Sequence, residues 1–336
     1  MKLSATFVYG IENFSLSGER PIVATIGTFD GIHLGHQEIF RRVRLISKES
    51  GYEPVLVTFH PHPRVLVSPD NVPLLLTTIE EKERFIPDFF DGTVLVLDFN
   101  EKLMNLEPAE FIKNILVEKV GVRKLIVGYD HALGKNRKGT IGELKRWGEK
   151  FGYEVEVCGP IMIDGEAVSS SRIRRAMMQD RYREALRLLG HEYAIYGPVE
   201  KGIGLGKKLG YPTANVKYSP RKLLPAEGVY TCCVEIGKDC HDGVMFIGQN
   251  HFNPQDRISV EAHLFDFDRE LYDEEITVYP IHFIRENRKY NSQEQLVRQI
   301  KKDKEKALQI LQKEKRHAAD EGAKSSNYCF KPSPRQ

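Results

Sequence analysis

Five short apolar runs, IVATI (22–26), PVLVTF (54–59), TVLVLDF (93–99), KLIVG (124–128) and YEVEVC (153–158), recur through the first half of the chain. Runs this short and this apolar read, for the most part, as strands covered on both faces. The stretches between them carry the helical period. Ile39, Phe40, Val43 and Ile46 fall on one face, as do Phe111, Ile112, Ile115 and Leu116 after Pro108 near a first turn. Thr78 and Glu81 have the spacing of a capping box for a third helix. Strand alternating with helix implies right-handed crossovers, a doubly wound parallel sheet of the α/β class, and ligands at the carboxyl ends of the strands.

After REALRLLG (183–190) the texture changes. Segments such as GVYTCCVEI and RISVEAHLF alternate with period two and no helix intervenes, which predicts a small antiparallel β-barrel or sandwich. One long helix follows, capped by Ser292 with Gln295 and carrying Leu296, Ile300, Ala307 and Leu311 on one stripe. From about Lys313 the chain is polar and holds Pro332 and Pro334, the composition of a mobile tail. The 336 residues exceed what one hydrophobic core usually holds. Two domains, 1–188 and 189–312, and a tail, 313–336, are expected.

Composition mainly excludes. With 49 basic and 47 acidic residues the formal charge of +2 is too balanced to argue for nucleic acid or a membrane surface. The five cysteines, Cys158, Cys232, Cys233, Cys240 and Cys329, offer neither paired metal-ligand spacing nor a disulfide framework, which suits a reducing compartment. No apolar run approaches membrane-spanning length, and no signal-peptide pattern follows Met1. The expectation is a cytoplasmic enzyme acting on small molecules.

The stretch GTFDGIHLGHQ (27–37) carries the first of these runs into the first helix. Gly27, Gly31 and Gly35 remove side chains where backbone could approach a phosphate, and a helix start offers free N–H groups and a positive dipole end. His33 and His36, three apart, can present both imidazoles on one side of that start. Alone, such a pair reads as surface or core histidines, and a zinc site would need a further ligand nearby. A second stretch, VSSSRIRRAM (168–177), sets three hydroxyls and Arg174 at another helix start, an arrangement suited to nucleotide phosphates.

The HLGH segment is similar to the His-x-Gly-His signature of the nucleotidylyltransferase superfamily, and SSSRIR resembles its Ser-Ser/Thr-x-x-Ile-Arg partner. With TFHPHP (58–63), LLTTIEEKERF (75–85) and VGYDHALGKNRKG (127–139), the first half resembles the adenylyltransferase part of the bacterial bifunctional riboflavin kinase/FAD synthetases. That resemblance implies joining ATP and FMN into FAD and pyrophosphate. It implies that His33 and His36 stabilise the phosphates and departing charge, with Ser170, Ser171 and Arg174 holding the nucleotide. Gly27, Phe29, Gly31, Gly35 and Asp130 would line the ATP side, and His60 and Pro61 the flavin side. Ser171 stands where threonine is usual and Leu133 where phenylalanine is common.

Further on, GIGLGKKLGYPTAN (202–215) combines a glycine-rich loop with Pro212 and an extended segment, but lacks the Gly-Lys-Ser/Thr of a P-loop. Thr213 and Asn215, two apart, point the same way, and two neutral oxygens suit a magnesium ion compensated by ATP phosphates. In RISVEAHLF, Glu261 faces away from Ile258, Val260, Ala262 and Leu264, where a carboxylate could serve an alcohol as base. The GKKLGYPTAN segment (206–215) is similar to the riboflavin kinase signature, and LLPAEGVY (223–230) and VEAHLFDFDRELYDEEITV (260–278) match that domain in order. The resemblance implies that Thr213 and Asn215 serve Mg-ATP and that Glu261 deprotonates the terminal ribityl hydroxyl of riboflavin. It implies that Gly204, Gly206, Lys207 and Gly210 cover the phosphates and that Arg285 binds flavin. Lys207 replaces the usual arginine, and IGQNHF (247–252) replaces a segment that commonly reads Ile-Gly-x-Arg-Pro-Thr.

The resemblance spans about Pro21 to Leu311 and implies an enzyme that makes FMN and then FAD. Two other readings stand beside it: a monofunctional riboflavin kinase whose first domain is inactive or serves another acceptor, and a flavin-binding or flavin-delivering protein. Substrates are riboflavin, FMN and ATP with Mg2+; no nucleic-acid or membrane partner is expected, and nothing indicates an oligomer.

Overall fold

The structure, a computed structural model, describes residues 3–15, 20–134, 138–202, 204–249 and 258–320, the last seven of these as backbone only. The chain divides into two compact units, Met1–Ser170 and Ser171–Gln336.

The first unit is built on β1 (Ala5–Tyr9), β2 (Ile22–Ile26), β3 (Glu53–His60), β4 (Gly92–Asp98) and β5 (Val122–Gly128). A small hairpin, β6 (Ala132–Leu133) with β7 (Gly139–Thr140), precedes β8 (Glu154–Cys158). The six long strands form one parallel sheet in the order β1-β4-β3-β2-β5-β8. All five apolar runs are strands, as their pattern requires. The sixth strand, β1, lies at a sheet edge with mixed burial, so its residues carry no unbroken apolar signal. Strand order reverses beside β2, which places its carboxyl end at the topological switch point.

Helices cover both faces. On one, α1 (Leu34–Ser50) buries Ile39, Phe40, Val43 and Ile46 against β2, β3 and β5. Then come α2 (Arg64–Val67) and α3 (Ile79–Phe89), the latter opened by the predicted capping box. In it the Glu81 amide donates to Thr78 Oγ1 at 3.3 Å and the Thr78 amide to Glu81 Oε2 at 2.9 Å. The opposite face is covered after α4 (Glu101–Asn105) and α5 (Pro108–Glu110) by residues Phe111–Val120. That segment winds with π-type spacing, the Gly121 amide closing on Leu116 O. The wider turn leaves Ile115 partly buried while Phe111, Ile112 and Leu116 enter the core. Next is α6 (Ile141–Phe151), and past β8 a second short hairpin of β9 (Met162–Ile163) and β10 (Glu166–Ala167).

Helices α7 (Ser170–Met178) and α8 (Tyr182–Leu189) lead into the second sheet. It comprises β11 (Ile195–Glu200), β12 (Ala214–Val216), β13 (Gly228–Ile236), β14 (Asp239–Gly248), β15 (Ser259–Leu264) and β16 (Glu275–Arg285), with the one-turn α9 (Leu205–Lys208) between the first two. Their order is β11-β12-β15-β14-β13-β16, and Ile195 pairs with Val278 to close the ring, so the barrel is the correct one of the two expected forms. Closure removes the unpaired edges a sandwich would keep. Helix α10 (Gln293–Asp320) seats Ala307 and Leu311 on Val229, Val244, Phe265 and Ile284.

Two expectations are corrected. The polar segment from Lys313 continues α10 to Asp320, because KEKRHAAD is built of good helix formers; residues 321–336, with Cys329, lie outside the described residues. Cys233 and Cys240 form a disulfide across the β13–β14 hairpin, their Cα atoms 6.0 Å apart. Antiparallel register, with Glu235 opposite Cys240 and Cys233 opposite Asp242, brings together two cysteines whose spacing follows no secreted framework. Asn250 to Phe252 of the IGQNHF segment also lie outside the described residues. Among the described residues no helix is long and apolar enough to cross a membrane.

Candidate active sites

The loop leaving β2 is first held to the sheet, the Gly27 amide donating to Val57 O at 3.1 Å. It then turns through left-handed backbone at Phe29 (φ 46°), Gly31 (φ 88°) and Ile32 (φ 43°). Phe29 and Ile32 are buried, and burying their side chains offsets the cost of a conformation that non-glycine residues avoid. Hydrogen bonds from several elements fasten the turn. Lys82 Nζ donates to Thr28 O at 2.6 Å, the Thr77 amide to Asp30 Oδ1 at 2.9 Å, the Gly31 amide to Thr77 Oγ1 at 2.9 Å, and Ser170 Oγ to Asp30 O at 2.8 Å.

This turn makes His33 the N-cap residue of α1, with the Gln37 amide donating to its carbonyl at 3.0 Å. His33 and His36 stack with ring centroids 3.6 Å apart and planes 19° from parallel, and Phe29 meets the His36 ring edge-on at 5.3 Å. A side chain at Gly35 would press on the His33 ring at 3.3 Å, so the ring would have to give by a few tenths of an ångström to admit one. Burial, His33 and then Lys82 hold the His36 imidazole well below the usual histidine range. Burial also lowers the Lys82 ammonium, against the pull of Asp30. A neutral His36 imidazole at a helix start, with a buried ammonium beside it, is an environment that an arriving anion stabilises.

The remaining residues expected here are placed less tightly. Asp130 is exposed just past the end of β5, and His60 is exposed at the end of β3, followed by half-buried Pro61. Leu133 is buried and lies against Gly139 in the small hairpin. Ser171, exposed, and Arg174, half-buried, follow Ser170 on α7 and belong to the second compact unit. The buried arginine of that helix is Arg172, 3.5 Å from Glu184. Sequence reading passed over Lys82, Thr77 and Asp30. The available signal was Lys82 on the apolar stripe of α3, between Ile79 and Ile86 where a hydrophobe is normal.

The second site is a cavity of about 570 Å³ in the second unit, lined among others by Gly204, Gly206, Lys207, Thr213, Asn215 and Glu261. Gly204 (φ 73°) opens α9 and Gly210 (φ 83°) follows it. The loop folds back on itself, the Tyr211 amide donating to Gly206 O at 2.8 Å, and a side chain at Gly206 would lie 2.4 Å from Tyr211 O. Asn215 sits directly opposite Glu261 in the β12–β15 register. Both carboxylate oxygens of Glu261 are held, Oε2 accepting from Thr213 Oγ1 at 3.3 Å and Oε1 from Ser259 Oγ at 3.2 Å.

Lys207 is exposed and paired with Glu270 at 3.1 Å. Arg285 is not among the residues lining this cavity: its guanidinium binds Asp303 of α10 through contacts of 3.0, 3.0 and 2.7 Å. Asp303 is buried on the helix stripe between Ile300 and Ala307, a carboxylate where the pattern predicts a hydrophobe. Among the described residues no three histidine, cysteine, aspartate or glutamate side chains cluster to hold a metal. A divalent ion beside Thr213 and Asn215 would have to draw oxygens from a bound nucleotide, which suits magnesium.

Comparison with known proteins agrees with this division. The FAD synthetase family matches residues 16–172 and the riboflavin kinase family residues 189–311. A bifunctional riboflavin kinase/FMN adenylyltransferase of Pseudomonas fluorescens is 38% identical over 285 residues, covering 84% of this chain and 91% of its own. The enzyme of that description from Escherichia coli K12 is 32% identical over 297 residues, covering 88% and 95%. A crystal structure described as a macrolide-efflux protein from Streptococcus pneumoniae is 30% identical, covers 90% of this chain and 97% of its own, and superposes with a TM-score of 0.77. Two family matches in this order, and relatives alike over nearly their whole length, place the chain in the family of bifunctional riboflavin kinase/FMN adenylyltransferases.

Proposed function

We propose that the two activities of this family are divided between residues 1–188, which transfer AMP from ATP to FMN, and residues 189–312, which phosphorylate riboflavin. The observation that carries the kinase assignment is Glu261, held by Thr213 and Ser259 and facing Asn215 at the cavity wall. In phosphorylation the terminal ribityl hydroxyl attacks the γ-phosphorus of ATP. The new O–P bond forms as the bond to the β-phosphate oxygen breaks, ADP leaves, and Glu261 takes the hydroxyl proton. Thr213 and Asn215 would hold Mg2+, which when bound neutralises charge on the phosphates. Gly204, Gly206, Lys207 and Gly210 close over them, with Lys207 leaving Glu270 for a phosphate.

Adenylyl transfer needs no protein nucleophile, because a phosphate oxygen of FMN attacks the α-phosphorus and pyrophosphate departs. Catalysis is then positioning and charge stabilisation. The amides of the α1 start, His33 and His36 would receive the phosphates, Gly27, Phe29, Gly31 and Gly35 shape the backbone beneath them, and Ser170, Ser171, Arg174 and Asp130 hold the nucleotide. His60 and Pro61 would take the flavin of FMN. Partners are these small molecules alone, and the compartment is the cytoplasm, where ATP is available. Glu261→Gln tests the kinase assignment: FMN formation should fall steeply, and an unchanged rate would remove Glu261 from the mechanism.

A further inference from the structure

Glu261 and His263 are two apart on β15, so both project from the same side of the strand. Glu261 reaches the hydroxyl of Thr213; His263 reaches the residue before it, its Nδ1 lying 2.8 Å from Pro212 O. A carbonyl oxygen only accepts, so Nδ1 carries the proton and the tautomer is fixed. Nε2 then bears a lone pair, and it is buried with no hydrogen-bond partner among the described residues. His263 is only 8% exposed. Tyr211 meets its ring edge-on at 5.4 Å and Phe265 at 5.9 Å, and Phe265 packs with Ala307 and Leu311 of α10. An apolar ring would fill this space without stranding a nitrogen, so packing alone does not explain the histidine.

We propose that His263 is a positioning residue for riboflavin phosphorylation, its Nδ1–H pinning the Pro212–Thr213 peptide so that the Thr213 hydroxyl stays in register with Glu261. One strand thereby supplies the base and the pin that holds the loop against it. Through Phe265 the pin is braced by the closing helix.

Two near-isosteric variants separate this role from a structural one. An asparagine amide at this position puts its N–H near the place of Nδ1, whereas a glutamine amide puts it near the place of Nε2. His263→Asn should keep the kinase kcat within about threefold of the parent, while His263→Gln should lose about tenfold or more, as a misplaced catalytic loop does. The loss is expected in kcat with little change in the KM for riboflavin, since the pin acts on phosphoryl transfer. FAD formation from supplied FMN, read on the same preparations, should be unchanged in both. Equal kinase rates in the two variants, equal failure to fold, or a glutamine variant better than the asparagine one would each overturn the proposal. So would a fall in FAD formation matching the fall in FMN formation.

Discussion

At the scale of single residues, charge state follows from surroundings. His36 has its folded-state pKa depressed by burial, by His33 and by Lys82, from an ordinary 6.5. The fold therefore favours the neutral ring, and the stability this contributes is complete above the unfolded pKa and lost as pH falls through the folded one. Urea midpoints should decline as pH drops below about 6.5, less steeply in His36→Gln than in the parent. Parallel declines in the two proteins would mean that His36 is not held neutral. Glu261→Gln should lower the rate of FMN formation by about a hundredfold or more, with FAD formation from supplied FMN intact. Glu261 was legible in the sequence because period-two alternation sets it opposite the apolar side of β15. Lys82 was legible only as an anomaly on the apolar stripe of α3, because the carbonyl that meets it, Thr28 O, is brought there by the fold.

At the scale of elements, buried charges fasten loops and helices to the sheets. Lys82→Met removes the donor that holds Thr28 O, releasing the turn that presents His33. FAD formation should fall by about tenfold while riboflavin phosphorylation continues, measured as FMN accumulating without FAD. An unaltered FAD rate would show that the turn holds without its lysine. At the other end of the chain Asp303, with a side chain 6% exposed, faces Arg285, 15% exposed. Asp303→Ala would leave a buried guanidinium without its carboxylate and should destabilise the protein by about 3 kcal/mol, read from urea unfolding followed by circular dichroism. A loss below about 1 kcal/mol would place the pair among surface ion pairs. Helix α10 was foreseen from its stripe and its Ser292 cap, and the Gln295 amide does donate to Ser292 Oγ at 3.3 Å. Asp303 interrupts that stripe, and no periodicity reveals its partner on a strand 18 residues earlier. The edge strand β1 escaped for a related reason, since its mixed burial breaks the pattern by which strands are recognised; the helical segment Phe111–Val120 was expected, but its π winding departs from the period that predicted it.

At the scale of the whole molecule, the division into an α/β half and a barrel half was written in the change of hydrophobic period after residue 190. Closure of the barrel was not, because it depends on β16 pairing with both β11 and β13, contacts between segments far apart in the chain. The Cys233–Cys240 pair was missed for the same reason on a smaller scale, since hairpin register and not spacing makes it. Two separately matched families in one chain predict two activities in sequence, each removable by itself. The most direct test incubates the chain with riboflavin, ATP and magnesium and separates the flavins by chromatography over time. Riboflavin should fall, FMN should rise, and FAD should follow. His36→Ala should stop the series at FMN, and Glu261→Gln should block it at riboflavin but still convert supplied FMN into FAD. FMN that never becomes FAD in the parent protein, even when supplied directly, would contradict the assignment of GTFDGIHLGHQ to adenylyl transfer.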